Sequence, residues 1–355
     1  MLVVIFLAVA LFLFVFLSPQ FGRAPFGEHL KKICTSPQYK YTKFVNNPEV
    51  ELTINIFGTL RLLFELLRGN ANRRPKKKLP SIPLSIEEHA DAFLTWFGHS
   101  TFLYEIGGKK ILFDPMLGSH ASPILHTIQR YNYDLPSKAE DLPALDAVII
   151  SHDHYDHLDY QTVVKIKNKT KHFIAPLGVG SHLLRWGVEK EQIIELDWWD
   201  KTVVGDVIIT ATPSQHFSGR SLTDRQKTLW AGWIIQNSTA KVFFGGDSGY
   251  FEGFREIGKR HGPFDLTLLD SGQYNPHWEV VHMFPEQSVR AHKELGGRVF
   301  MPMHWSAFTL SLHAWTDPVE RALIAAKKEQ VPMITPMIGE RFHVLHDRPQ
   351  QMWWR

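Results

Sequence analysis

Residues Ser151 to Asp159 read "SHDHYDHLD", three histidines and three aspartates directly after the apolar run "DAVII" (Asp146–Ile150). The run reads as a buried strand. Ionisable groups end such a strand only where something neutralises them. Written as H-x-H-x-D-H, the stretch offers His152, His154, Asp156 and His157. Imidazole nitrogen and carboxylate oxygen are the usual donors for zinc and similar first-row ions. In an extended segment His152 and His154 point to one side. A turn into a helix then projects Asp156 and His157 towards a neighbouring point, so one segment serves two metal ions held close together.

Two ions need more donors, and other strand ends supply them. "TATPSQHFSGR" delivers His216 and "RVFMPMHW" delivers His304, each after a β-like run. "KVFFGGDSG" delivers Asp247 between glycines that let backbone approach closely. Convergence at strand ends is what an α/β active site requires. The surrounding pattern agrees. "AFLTWFG", "TFLYEIG", "KKILFDP", "DVIITATPS" and "WAGWIIQN" read as strands broken by Gly and Pro. Gly178–Trp186, Pro285–Leu295 and Asp317–Glu329 read as helices, the last two with Pro in the first turn.

The chain has 355 residues, 44% of them hydrophobic and 21% charged, so a sizeable core forms and global disorder is excluded. A net charge of +3 gives no argument for nucleic acid. Cys34 is the single cysteine, which rules out an intrachain disulfide. Leu2 to Leu17 is unbroken apolar sequence, somewhat shorter than the roughly 20 residues that span a bilayer. No Lys or Arg precedes it and no A-x-A-like site follows, so an uncleaved anchor is favoured over a signal peptide. Arg23, Lys31 and Lys32 after it favour the cytoplasmic face for the main domain. The expected organisation is an anchor or signal-like helix over 1–22, a connector over 23–90 and a catalytic domain over 91–355. The connector carries an amphipathic helix at Thr53–Gly69 and the basic cluster "RRPKKK" at Arg73–Lys78.

The H-x-H-x-D-H motif with its later His, Asp and His resembles the metallo-β-lactamase superfamily, from about Ala92 to His346. Within that span "TWFGHSTFLYEIGGKKILFDP", "SHDHYDHLD", "HFSGRSLTDRQKTLWAGWII", "FFGGDSGY" and "YNPHWEVVHMFPEQSVRAH" together resemble the N-acylphosphatidylethanolamine-hydrolysing phospholipase D group and its bacterial relatives. The resemblance implies an α/β fold of αββα sandwich type, two mixed β-sheets packed face to face and flanked by helices. It implies two zinc ions per chain. One takes His152, His154 and His216, the other takes Asp156, His157 and His304, and Asp247 bridges them. Asp114 matches an aspartate that supports the site from behind. His282 matches a histidine near the substrate phosphate, which makes Asp156, Asp247 and His282 the catalytic candidates.

The expected activity is that of a membrane-associated dinuclear zinc hydrolase, cleaving a phospholipid phosphodiester by attack of a metal-bridging hydroxide. Arg220, Arg225 and Lys227 in "SGRSLTDRQKTLW" are candidates for gripping its phosphate. Trp230, Trp233, Trp278 and Trp305 are candidates for lining an acyl-chain cleft. The partners implied are a phospholipid and a membrane, with no nucleic acid; the oligomeric state is open, a homodimer included. A metal-dependent lactonase or another phosphodiesterase on the same centre is the alternative. A non-hydrolytic metal-binding membrane protein is the alternative from another class. In superfamily members with di-iron centres the second motif position resembles Glu, so His154 favours hydrolysis.

Overall fold

The computed structural model describes residues 1, 6, 13–50, 64, 72–87, 90–221 and 223–355. Most of the apolar run Leu2–Leu17 and nearly all of the helix expected over Thr53–Gly69 lie outside them. Among the described residues no helix is long and apolar enough to cross a membrane. The amino-terminal part includes α1 (Gly27–Ile33) and a small hairpin, β1 (Tyr39–Lys40) and β2 (Lys43–Phe44). The rest forms two sheets.

The first sheet has seven strands in the order β15-β3-β4-β5-β6-β7-β8. They are β3 (Phe93–Trp96), β4 (Phe102–Ile106), β5 (Lys109–Phe113), β6 (Leu145–Ile149), β7 (Thr170–Pro176), β8 (Ile193–Leu196) and the late strand β15 (Arg341–His343). Pairing is antiparallel from β15 to β5 and parallel from β5 to β8. The second sheet has six strands in the order β14-β13-β12-β11-β10-β9. They are β9 (Lys201–Val204), β10 (Val207–Thr212), β11 (Gly232–Gln236), β12 (Lys241–Phe244), β13 (Phe264–Asp270) and β14 (Gly297–Met303). β12, β13 and β14 are mutually parallel and the others antiparallel.

Alternation along the strands decides which side chain goes where. Ile111 and Phe113 of β5, with Ala147 and Ile149 of β6, face the second sheet. Leu112, Val148 and Ile150 face outwards, beneath α2 (Tyr160–Ile166) and α3 (Gly180–Arg185). Phe113 stacks on Phe244 of β12 across the sandwich, with ring centroids 5.0 Å apart. The outer face of the second sheet is covered by α4 (Gly253–His261), α5 (Pro285–Leu295) and α6 (Asp317–Lys328). Strands covered on both faces read as continuous apolar runs, which is why "DAVII" shows no polar alternation. The αββα sandwich expected from the sequence is the fold the chain adopts.

Three residues of the amino-terminal part pack into the core of the sandwich. Ile33 and Phe44 are fully buried and Leu79 nearly so, all in the core shared by the two sheets.

His292 of α5 gives the fold a pH dependence. Its imidazole is buried, bonded at Nδ1 to Thr267 Oγ1 (2.8 Å), and burial lowers it to about 4 from an ordinary 6.5. Between those values the unfolded chain binds a proton that the folded chain refuses. Stability from this residue is complete above pH 6.5 and falls as pH drops towards 4, by about 2–3 kcal/mol. His292→Gln is expected to narrow the gap between urea midpoints at pH 7.5 and pH 4.5. An unchanged gap would contradict this account of His292.

Candidate metal centre

The site sits where strands of both sheets end. β6 runs into Ile150 and Ser151, and the chain then turns through His152–Asp159. Backbone bonds from His157 N and Leu158 N to His154 O (3.1 and 2.9 Å) close the turn. Asp159 caps α2 by accepting from Gln161 N and Thr162 N. Asp114, just past β5, fixes the start of the turn. Its Oδ1 accepts from Ser151 N (2.7 Å), and its Oδ2 accepts from Ser151 Oγ (2.7 Å) and His157 Nδ1 (2.6 Å). The second sheet contributes His216 after β10, Asp247 after β12 and His304 after β14.

The side chains meet in two groups whose donor atoms lie within 4.8 Å of one another: His152, His154, His216 and Asp247, then His99, Asp156, His157 and His304. Asp247 connects them. Its Oδ2 is 3.1 Å from His157 Nε2, 3.2 Å from His304 Nε2 and 3.8 Å from both His152 Nε2 and His216 Nε2. A third group joins Asp247 and His304 to Asp270 and His282.

The rings are oriented from behind, as metal-ligating imidazoles are. His216 Nδ1 donates to Val281 O (3.0 Å), His304 Nδ1 to Asp270 Oδ1 (3.2 Å) and His157 Nδ1 to Asp114. Their Nε2 atoms therefore point into the same small space, where each ring, once neutral, offers a lone pair. There His152 Nε2 lies 2.9 Å and His216 Nε2 3.2 Å from His154 Nδ1. His157 Nε2 and Asp247 Oδ1 are buried without a hydrogen-bond partner. Convergent lone pairs and orphaned buried donors fit divalent cations and little else.

The electrostatics point the same way. Burial favours the neutral form of His304, but Asp247 and Asp270 outweigh it and push the ring up to about 10. His157 is held well above the ordinary range against the same penalty, chiefly by Asp247 and Asp156. Burial and the neighbouring imidazoles, His157 foremost, hold His152 well below it. Burial and His304 bring His99 down to about 3. The pocket thus draws positive charge to one group of donors and keeps His152 neutral, as a ligand must be.

The remaining candidates fall in three places. His282 faces the cavity with Nδ1 bonded to Asp270 Oδ2 (2.8 Å). Arg225 also lines the cavity, its guanidinium exposed and 5.4 Å above the Phe217 ring. Arg220 does not. It is 3% exposed, and its nitrogens go to the carbonyls of Asp153, Leu158 and Gln20, so it braces the His152–Asp159 turn instead of meeting substrate. Lys227 also points elsewhere, to Thr42 O (2.6 Å). Trp278 lines the cavity, whereas Trp230, Trp233 and Trp305 are buried in the core. The cavity is about 500 Å³, with apolar walls of Phe217, Trp278, Val281 and Leu310 and a polar floor of the donor groups. A cleft of about 540 Å³ adjoins it across Phe217, Arg225 and Val281.

Four residues here escape the sequence reading. His99, in "FGHST" at the end of β3, bonds Asp156 Oδ2 through Nε2 (2.8 Å) from a backbone φ of +57°. Asp270 ends β13 and holds two histidines at once. Both stand at strand ends, the signal that singles out His216. Ser151 orients His152, its Oγ lying 2.9 Å from His152 Nδ1. Asn46 pairs with the backbone of His216, donating to its carbonyl (2.9 Å) and accepting from its N–H (3.0 Å). No local pattern marks Asn46.

Residues 109–305 match the family model described as the beta-lactamase superfamily domain. An uncharacterized protein of Mycobacterium tuberculosis strain H37Rv is 40% identical over 327 residues, 90% of this chain and 88% of its own length. The N-acyl-phosphatidylethanolamine-hydrolyzing phospholipase D 1 of Caenorhabditis elegans is 33% identical over 231 residues, 61% of this chain and 65% of its own. Among solved structures, a metallo hydrolase from the archaeon Ignicoccus hospitalis shares the fold with a TM-score of 0.53 at 24% identity, covering 70% of this chain and 97% of its own. Two packed mixed sheets, a buried histidine–aspartate centre at their common edge and the family match make this chain a member of the metallo-β-lactamase superfamily, a metal-dependent hydrolase.

Proposed function

We propose that the protein is a phosphodiesterase of phospholipase D type, acting on N-acylphosphatidylethanolamine or a lipid of like chemistry, with zinc as its metal. The observation that carries this reading is the cavity itself. An exposed guanidinium and an imidazole stand beside the donor groups, and the walls are apolar. That suits an anionic phosphodiester with a hydrocarbon arm. The nitrogen-rich donor set favours zinc over magnesium or calcium. The likeness to the nematode phospholipase supports the substrate class.

His152, His154, His216 and Asp247 would hold one ion, and Asp156, His157, His304 and Asp247 the other, with His99 beside Asp156. Cations bound there supply Lewis acidity and make water acidic enough to react near neutral pH. The residues around them do the rest. Water adds across the phosphorus–oxygen bond to the head-group alcohol: its oxygen bonds to phosphorus, and the bond to the alcohol oxygen breaks. That oxygen leaves with a proton, for which His282 is the placed donor, because Asp270 occupies Nδ1 and leaves Nε2 for substrate. Arg225 grips a non-bridging oxygen, and Trp278 and Leu310 shield the site from bulk solvent.

The test is mass spectrometry of products from purified, metal-loaded protein on a phospholipid panel. N-Acylethanolamine and phosphatidic acid are expected in equal amounts. Intact phospholipid alongside metal-dependent lactone opening would reject the reading. Arg225→Ala is expected to raise KM for an anionic phosphodiester by about 10–100-fold with kcat little changed, and Arg225→Lys to recover part of it. Steady-state kinetics check this, and an unaltered KM would remove Arg225 from substrate binding.

A further inference from the structure

Two sequence features that the centre does not use meet on one face of the molecule. The apolar run Leu2–Leu17 enters the described fold through residues 13–17 and the turn Pro19–Phe21. The domain holds carbonyls of the end of the run and of the turn: Arg185 Nη2 donates to Phe16 O (2.7 Å), Trp186 Nε1 to Pro19 O (2.7 Å) and Arg220 Nε to Gln20 O (2.9 Å). Gln20 Nε2 then donates to Pro123 O (3.2 Å), which seats the end of the run against the loop Ala121–Ile128. The basic cluster Arg73–Lys78 reaches the same loop from its other end. Arg74 Nη2 donates to Gln129 O (3.0 Å) and Arg130 O (3.2 Å), and Leu79 N to Asn132 O (2.8 Å).

The loop presents large apolar side chains to solvent. Ile124 is 56% exposed, Leu125 68% and Ile128 37%, and on the neighbouring segment Leu17 is 67% exposed. Lys78 is paired with Asp134, but Lys76 and Lys77 point outwards. An apolar loop set between the end of a hydrophobic run and exposed lysines matches an anionic lipid surface in both polarity and charge. We propose that Ile124, Leu125 and Ile128, flanked by Leu17 and by Lys76 and Lys77, form a docking face that rests in the headgroup layer of an anionic bilayer. Two contacts tie the segments that flank the face to neighbours of cavity-lining residues. Tyr155, next to His154, packs edge-on against Phe21 (6.5 Å), and Thr309, next to cavity-lining Leu310, donates to Arg73 O (3.0 Å). The proposal rests on the reading of the substrate as a membrane lipid.

The test uses the full chain with Cys34→Ser as background. Single cysteines from Leu125→Cys and, as a control on the exposed side of α6, Ile324→Cys carry a polarity-sensitive dye. Vesicles of phosphatidylcholine containing phosphatidylglycerol are expected to blue-shift the dye at position 125 and protect it from iodide quenching, with no change at position 324. Replacing Lys76 and Lys77 with Gln is expected to lower the ratio of docked to undocked dye roughly fivefold per charge removed. A dye at position 125 that stays as quenchable as that at 324 overturns the proposal. So does a concentration-dependent shift without vesicles, which would make the occupant a second copy of the chain. Hydrolysis of a soluble phosphodiester by the same samples tests the chemical reading separately.

Discussion

Asp247→Ala is expected to lower kcat by at least ~10³-fold and to leave the purified protein short of metal. Among the described residues this carboxylate is the one that reaches both histidine groups. Its Oδ2 stands 3.1–3.8 Å from His157, His304, His152 and His216, and its Oδ1 has no protein partner. Removing it deletes a donor from each group at once. The substitution also takes a counter-charge away from buried imidazoles, so loss of fold must be told apart from loss of metal. Circular dichroism and thermal melting of the metal-free forms make that distinction. Metal content by mass spectrometry should fall well below that of the unaltered protein, and His154→Ala should act in the same direction through one group only. Full activity and full metal content in both variants would end the dinuclear account.

A chain shortened to begin at Asp91 is expected to be insoluble or without metal, although the family motifs all survive in it. Ile33, Phe44 and Leu79 belong to the shared core. Burial of large apolar side chains is worth ~1.5–3 kcal/mol each, so their loss together removes a large part of a typical stability of ~5–15 kcal/mol. The point substitution Asn46→Ala isolates the more local effect. The amide bonds both backbone groups of His216 and accepts from Trp230 Nε1 (3.1 Å). Alanine leaves these groups short of partners, at a cost of about 2–4 kcal/mol. Its thermal melt should drop, and its metal affinity should fall ~10–100-fold because the ring of His216 is no longer held in place. A well-folded, metal-replete fragment starting at Asp91 would show that the amino-terminal residues are dispensable.

These two expectations mark how far the sequence alone is readable. The H-x-H-x-D-H stretch declares itself because four donors crowd into one short segment, a density that packing does not require. His216, Asp247 and His304 follow because each ends an apolar run. The strands are legible as short apolar runs interrupted by Gly and Pro, and Pro285–Leu295 from its Pro start. Asn46 is not legible: a single amide in a proline-broken segment has no periodicity, and its role appears only when the fold brings it 170 residues along the chain to His216. Arg220 misleads for the opposite reason. A guanidinium in a polar loop resembles an anion clamp, and only burial shows that it serves three backbone carbonyls. Ile33 and Phe44 stay hidden because core residues supplied singly leave no pattern for a window to detect.

The division of the donors between the two sheets also has a consequence in time. A ribosome adding roughly 5–20 residues per second would release His152, His154, Asp156 and His157 roughly seven to thirty seconds before His304. For the earlier part of that interval the growing polypeptide displays half a centre and lacks Asp247, the carboxylate that joins its halves. A cation caught then is held loosely and exchanges freely. Lasting capture must await closure of the sandwich, so selection of the correct ion belongs to the finished protein and to the supply of metal around it, not to the order of synthesis.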